Sequence, residues 1–158
     1  MGYGIRYGLV EGSGKGREVP LHPSQYFHRQ AGHFVQLQAG NATLCASGVA
    51  RVFGWVESPK QAEGYESWKG SATSEADKVF VIYADPDNVF GIPATRTSVA
   101  ASLIGKGAGL ILGGSTYTLK QFAKVGGAVT ASPVFVVDVD ADSKILYVKV
   151  KQTKRQAN

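Results

Sequence analysis

Apolar and polar residues alternate with a period of two along several short stretches of the chain, and no segment keeps a helical period for long. Val35 and Leu37 alternate with Gln36 and Gln38, which predicts a half-buried strand, and Gly40-Asn41 supplies a turn. Residues 44–46 and 50–56 predict further strands. Lys78-Val79-Phe80-Val81-Ile82-Tyr83 reads as a strand halted by Asp85-Pro86-Asp87-Asn88, where proline fixes φ and Asp or Asn side chains bond nearby backbone. Residues 89–92 return as a strand that Pro93 stops. Residues 109–112 and 116–122 predict strands around Gly113-Gly114. The clearest element comes last. Phe135, Val137 and Val139 alternate with Val136, Asp138 and Asp140, and Leu146, Val148 and Val150 alternate with Tyr147, Lys149 and Lys151. The short Ala141-Asp142-Ser143 connection makes these a hairpin with one apolar face in the core and Asp opposite Lys on the other.

Helical signals are few. Ser24 is placed to cap one turn through Gln30, ended by Gly32, and Ser98 to cap a short helix through Ile104 with Val99 and Leu103 on one face. Residues 57–77 are polar around Trp68. A stretch that long without regular structure is unusual in a compact domain and reads as an interaction element.

The fold class expected is therefore mainly β: a small β-barrel or β-tulip/sandwich with one or two short helices and an extended N-terminal arm. The arm covers residues 1–31, the barrel-like domain 32–151 with its loop excursion at 57–77, and a basic tail 152–158. The first twenty residues interleave glycines with Tyr3, Ile5, Tyr7, Leu9 and Val10 and show no period. Two readings stay open for them: an arm ordered on a partner, or an arm packed on its own domain. On the first, deleting residues 1–20 leaves the melting temperature nearly unchanged and weakens partner binding.

Composition adds little to the class and something to the partner. The chain has 158 residues, enough for one domain that needs no metal or disulfide staple. Twenty glycines suit tight turns between strands. The net charge of +5 permits an acidic partner without naming one. The surplus gathers at the ends, in Arg6, Lys15, Arg17 and Arg29 and in Lys149, Lys151, Lys154 and Arg155. Solubilising tails and arms gripping a neighbour both account for this. The single cysteine, Cys45, cannot pair within the chain and reads as a small core residue. The first residues lack the apolar run of a signal peptide, Arg6 stands where a myristoylation signal needs Ser or Thr, and no run is long enough for a membrane helix.

Candidate chemistry is weak throughout. Gly12-Ser13-Gly14-Lys15-Gly16 lacks the spacing of a phosphate loop, with Leu9 where the first glycine belongs. Asp138, Asp140 and Asp142 begin like a calcium loop, but Ser143 and Lys149 occupy the positions that need Gly and Glu. His22, His28 and His33 are spaced six and five apart, which places no two on one helix face. Glu57, Glu63 and Glu66 near Trp55, Tyr65 and Trp68 sketch a glycan hydrolase or a sugar-stacking surface. A solvated loop with anchoring tryptophans explains the same residues. No Gly-x-Ser-x-Gly elbow is present.

One resemblance spans residues 32–151. Gly32-His33-Phe34-Val35-Gln36-Leu37 and Val52-Phe53-Gly54-Trp55-Val56 resemble the opening strands of the capsid decoration (cement) proteins of tailed bacteriophages. Asp85-Pro86-Asp87-Asn88-Val89-Phe90-Gly91-Ile92 is similar to their Asp-Pro-x-x-x-Phe-x-Ile stretch, and Ile104-Gly105-Lys106-Gly107-Ala108-Gly109-Leu110 to the Ile-Gly-x-x-Ala-x-Leu that follows. The glycine-rich arm and the 57–77 excursion depart from the plainest members. The resemblance implies a structural virion protein on the capsid exterior, made in the host cytoplasm. Its partners would be the major capsid protein and copies of itself around local symmetry axes, with no nucleic-acid role, membrane, cofactor, metal or catalysis. The residues expected to contact the capsid are Tyr3, Ile5, Arg6, Tyr7, Arg17, Tyr26, Phe27 and Arg29. The alternative is a virion-associated carbohydrate-binding module or glycan hydrolase.

Overall fold

A computed structural model of the chain describes residues 7–28, 30–46, 51–57, 67–69 (backbone), 71–73, 75–94, 99–113, 120–125 and 132–156. Among them the chain forms thirteen strands: β1 (Gly8–Glu11), β2 (Gly16–Pro20), β3 (Tyr26–His28), β4 (Phe34–Gln38), β5 (Asn41–Leu44), β6 (Gly54–Val56), β7 (Ser67–Lys69), β8 (Lys78–Tyr83), β9 (Val89–Pro93), β10 (Gly107–Gly113), β11 (Lys120–Val125), β12 (Val134–Asp140) and β13 (Ile145–Val150). The helical content is two single 3-10 turns, Ala101–Leu103 and Gln152–Lys154.

All strand pairs are antiparallel and fall into three sheets. One has six strands in the order β1-β9-β13-β12-β10-β11, one has five in the order β2-β8-β6-β4-β5, and β3 pairs with β7. The larger sheets curl until their ends meet. Leu21, just past β2, bridges Ala42 of β5, and Ala94, just past β9, bridges Ala123 of β11. Both bridges are parallel, as they must be when the ends of an odd run of antiparallel strands come together. Each is a single bridge, so the architecture is a β-sandwich of curled sheets and not a closed barrel.

Side-chain alternation then divides the interior in two. Phe34, Trp55 and Ile82 lie side by side across β4, β6 and β8. They face the six-stranded sheet and pack with Phe90, Ile92, Leu110, Val136, Leu146 and Val148 in the main core. Val35, Val56 and Val81 point the other way, into a second core that the five-stranded sheet wraps with Val19, Leu21 and Phe27. The approach of strands is close around β8. A Cβ on Gly16 would collide with the Val81 carbonyl oxygen on one side of β8, and a Cβ on Gly54 with the Ile82 carbonyl oxygen on the other.

Glutamine side chains complete the backbone pairing where strands stop. Gln121, buried on β11, reaches across to β4, where its amide accepts from Phe34 N at 2.8 Å and donates to Phe34 O and Cys45 O, each at 2.9 Å. Gln156 repeats the device on Leu37, accepting from its N at 2.8 Å and donating to its O at 3.0 Å.

The structure corrects several expectations. Residues 8–28 are not an arm: β1 pairs with β9, β2 with β8 and β3 with β7. Val19, Leu21 and Phe27 supply the apolar burial that offsets the entropy of ordering so many glycines. The tail is likewise tied down through residue 156. Val52 N donates to Lys154 O, Gln156 N donates to Val52 O, and Arg155 pairs with Asp85 at 3.0 Å. No helical turn starts at Ser24, which sits at φ 59° in the turn before β3. Ser98 lies outside the described residues. The turn near it begins after Ala100, with Val99 and Leu103 both buried as expected. Within the 57–77 excursion, Ser67–Lys69 is a strand, and residues 58–66, 70 and 74 lie outside the described residues.

The closing hairpin is present, but a bulge between Val136 and Asp138 shifts its faces. Val134 and Val136 enter the core, and Val139 packs against it beyond the bulge, while Phe135 turns outward. Lys149 therefore stands opposite Phe135, and Asp138 opposite Tyr147, instead of Asp opposite Lys.

Candidate functional site

The eight residues expected to form a contact arm do not form one. Tyr26 and Phe27 are buried strand residues. Tyr7 packs half-buried against the main core, and burial pushes its hydroxyl pKa up. Arg17 is exposed on β2, its guanidinium 5.4 Å from the centre of the Phe53 ring. Tyr3, Ile5, Arg6 and Arg29 lie outside the described residues.

The residues weighed for chemistry are scattered or structural. Among the described residues, no group of three His, Cys, Asp or Glu side chains could hold a metal ion. Trp55 is 3% exposed, in contact with Phe34 at 4.8 Å and stacked on Phe90 at 5.7 Å between ring centres, so it offers no platform to a sugar. Glu57 is exposed; Glu63, Tyr65 and Glu66 lie outside the described residues, as does the side chain of Trp68. Asp138 and Asp140 accept from the backbone N–H groups of Val139 and Ser143 and so shape the hairpin end. Ser13 and Lys15 in the glycine-rich loop spend their N–H groups on Asn88 Oδ1 and Ser13 Oγ, leaving those donors unavailable to a phosphate. Cys45 is fully buried, and burial pushes its thiol pKa far up.

His33 is a buried core histidine. Its Nδ1 lies 3.1 Å from Val56 O and its Nε2 3.0 Å from His28 O. Its ring packs against Phe27 and Trp55 at 5.3 and 5.5 Å. Burial outweighs the two carbonyls, which favour the cation, and pushes the pKa down; nearby His28 acts in the same direction.

What the fold does present, among the described residues, is a set of outward lysines and phenylalanines on β11, β12 and β13. In the six-stranded sheet, directly opposed residues share a face, which sorts every row. Ala108, Val134 and Val150 face the core. The neighbouring rows face outward: Gly107 beside Phe135 and Lys149, Lys124 beside Gly109, Phe122 beside Ile111, and Lys120 beside Gly113. Lys151 joins them, because its Nζ lies 3.2 Å from where a Gly107 Cβ would stand. On β10 three of the four outward positions are glycine, but Gly109 is buried and Ser132 lies 3.0 Å from where a Gly107 Cβ would stand, so the lysines and phenylalanines flank a covered middle.

No family model, curated protein or solved structure matches this chain. The geometry therefore stands alone. Sequence reading placed β12 as a strand and, with its strand at 116–122, only the start of β11; it did not find the lysine-phenylalanine face, because Phe135 belongs to it only through the bulge. The alternation Lys120-x-Phe122-x-Lys124 was the signal available.

Proposed function

We propose that the protein is a structural virion component that binds the exterior of a tailed-phage capsid, bridges its major capsid protein subunits and acts without turnover. The observation that carries this reading is where the resembling segments converge. Phe34, Trp55 and Phe90 come from three separate stretches that resemble decoration proteins, and their rings form one cluster, with Phe34 and Phe90 5.2 Å apart. The fourth stretch supplies Ala108 and Leu110 to the same core. The scattered likeness is thus a likeness of one interior, that of a rigid β-sandwich suited to sitting on a lattice. On this reading the partners are the major capsid protein and neighbouring copies of the chain, with nucleic acid and membrane playing no part.

Sedimentation tests it. The purified chain is mixed with mature shells of the phage that encodes it, prepared without this protein. The reading expects saturable co-sedimentation at a fixed ratio to the major capsid protein and a higher shell melting temperature. Absence of co-sedimentation at micromolar concentration overturns it.

A further inference from the structure

We infer that the outward face of the six-stranded sheet, centred on Lys120, Phe122, Lys124, Phe135, Lys149 and Lys151, is the surface that docks on an acidic protein surface of the shell. This rests on the proposed function and adds to it the face, the orientation and the partner's chemistry.

Charge comes first. Lys124 is exposed, and Lys120, Lys149 and Lys151 are half-exposed. The ion pair formed among the described residues is Arg155–Asp85, so none of these four lysines is neutralised by a described carboxylate. Four uncompensated cations on one face repel each other and attract an acidic surface. Self-association is a poorer match: a second copy carries the same net charge of +5, so two copies repel.

Shape comes second. Gly109 is buried and Ser132 lies over Gly107, so a partner meets the side chains of β11, Phe135, Lys149 and Lys151 and not bare backbone. Phe122 and Phe135 provide apolar contact beside the charges, as interface centres do. Four strands roughly 4.8 Å apart, the longest of seven residues rising roughly 3.3 Å each, give a face of roughly 14 by 23 Å. That is smaller than the roughly 800 Å² each partner buries in a standard stable interface. One copy docked through this face alone binds weakly, and occupancy of a lattice depends on each copy touching more than one subunit.

A single nucleic acid strand is the competing ligand for lysines among aromatics. The structure favours protein for two reasons. Phe122 and Phe135 lie half-buried among their neighbours instead of standing clear for bases to stack on. The face also turns acidic towards the hairpin, where Asp138 and Asp140 lie beside Tyr147; a protein surface can set a basic group against those acids, whereas a phosphate backbone is anionic throughout and is repelled there.

The test compares two charge-matched variants, K120E/K124E/K149E on the face and K15E/K78E/K144E elsewhere. Each moves the net charge from +5 to 5 − 6 = −1. Lys15, Lys78 and Lys144 are exposed, and unchanged circular dichroism and melting confirm that both variants fold. The probes are the decoration-free shells and a fluorescent oligodeoxythymidine. The inference expects the face variant to bind shells at least tenfold more weakly than wild type, the control variant within threefold, and neither to bind the oligonucleotide at 150 mM salt. Equal loss in both variants, or no loss in the face variant while wild type binds, overturns the inference and leaves the proposed function standing. Wild type failing to bind shells overturns both. Oligonucleotide binding that only the face variant loses assigns the face to nucleic acid and overturns the inference.

Discussion

At its centre, in β6, the five-stranded sheet is buried on both faces, whereas at β11 the six-stranded sheet buries one face and turns Lys120, Phe122 and Lys124 outward on the other. Val35, Val56 and Val81 fill the curl of the first sheet, while Phe34, Trp55 and Ile82 on its opposite side meet the second. Every position in β6 is buried, whereas on β11 buried residues alternate with half-buried or exposed ones. The two sheets teach different lessons about the same alternation. A strand that contributes to two cores is constrained at every residue. A strand with one free face is constrained at every second residue, and the rest are available for a partner.

The largest test of this contrast is removal of residues 1–20. That deletion takes away β1 and β2, and with β2 the buried Val19 and one end of the curled five-stranded sheet. The truncated chain is expected to lose cooperative unfolding by circular dichroism, the opposite of what a free arm would give. A cooperative transition within a few degrees of wild type would show that the second core closes without these strands.

Next in size is Gln121→Leu. The substitution keeps much of the side chain's volume and strands Phe34 N and Cys45 O, each buried group costing about 1–3 kcal/mol when unsatisfied, while Phe34 O keeps its bond from Cys45 N. A loss of about 2 kcal/mol or more in urea unfolding is expected. Gln156→Ala removes the same kind of pairing from Leu37 near the surface, where water substitutes, and should cost about 1 kcal/mol. Equal costs would mean that the two amides are equally buried in function.

The pH dependence sharpens the comparison further, because His33 sits where the five-stranded sheet meets its cover. Its folded pKa lies below the unfolded value near 6.5. The unfolded chain therefore takes up a proton that the folded chain resists. The full stability is present above about pH 6.5 and falls as pH drops through that value toward the folded pKa. The urea midpoint of wild type should decline from pH 7.5 to 5.0 more steeply than that of His33→Phe. Parallel slopes would remove His33 from the account. The smallest effect belongs to the outward lysines: Lys124→Ala should move the melting temperature by no more than about 2 °C.

Legibility in the sequence followed the same division. The strands whose ends or faces reach solvent announced themselves: Val35 and Leu37 beside glutamines at the open end of β4, and Leu146, Val148 and Val150 beside Tyr147 and two lysines. β1 and β2 did not, because glycine frequency masked them. Gly16 and Gly54 are present to let backbones approach β8, and in a bare sequence that requirement looks like flexibility. The bulge at Val137 was invisible for a different reason. Its neighbours are valines on both phases, so periodicity has no preference between them, and only the partner strand fixes the register. The tie between Gln121 and β4 spans 87 residues and leaves no local trace. Of the contact residues chosen from sequence, those that the structure describes are divided between core and surface. Selecting them by stickiness picked out Tyr26 and Phe27, which are sticky because they are interior.

We propose that this chain is a shell-binding sandwich that meets the capsid through the lysines and phenylalanines on the outward side of its six-stranded sheet. A cryo-electron-microscopy map of the phage particle tests it most directly. The account predicts density for the sandwich on the outer surface of the shell, with the outward side chains of β10 and β11 towards acidic residues of the major capsid protein and the five-stranded sheet away from it. A particle with no such density would contradict the claim, and so would a sandwich whose lysine-phenylalanine face points to solvent.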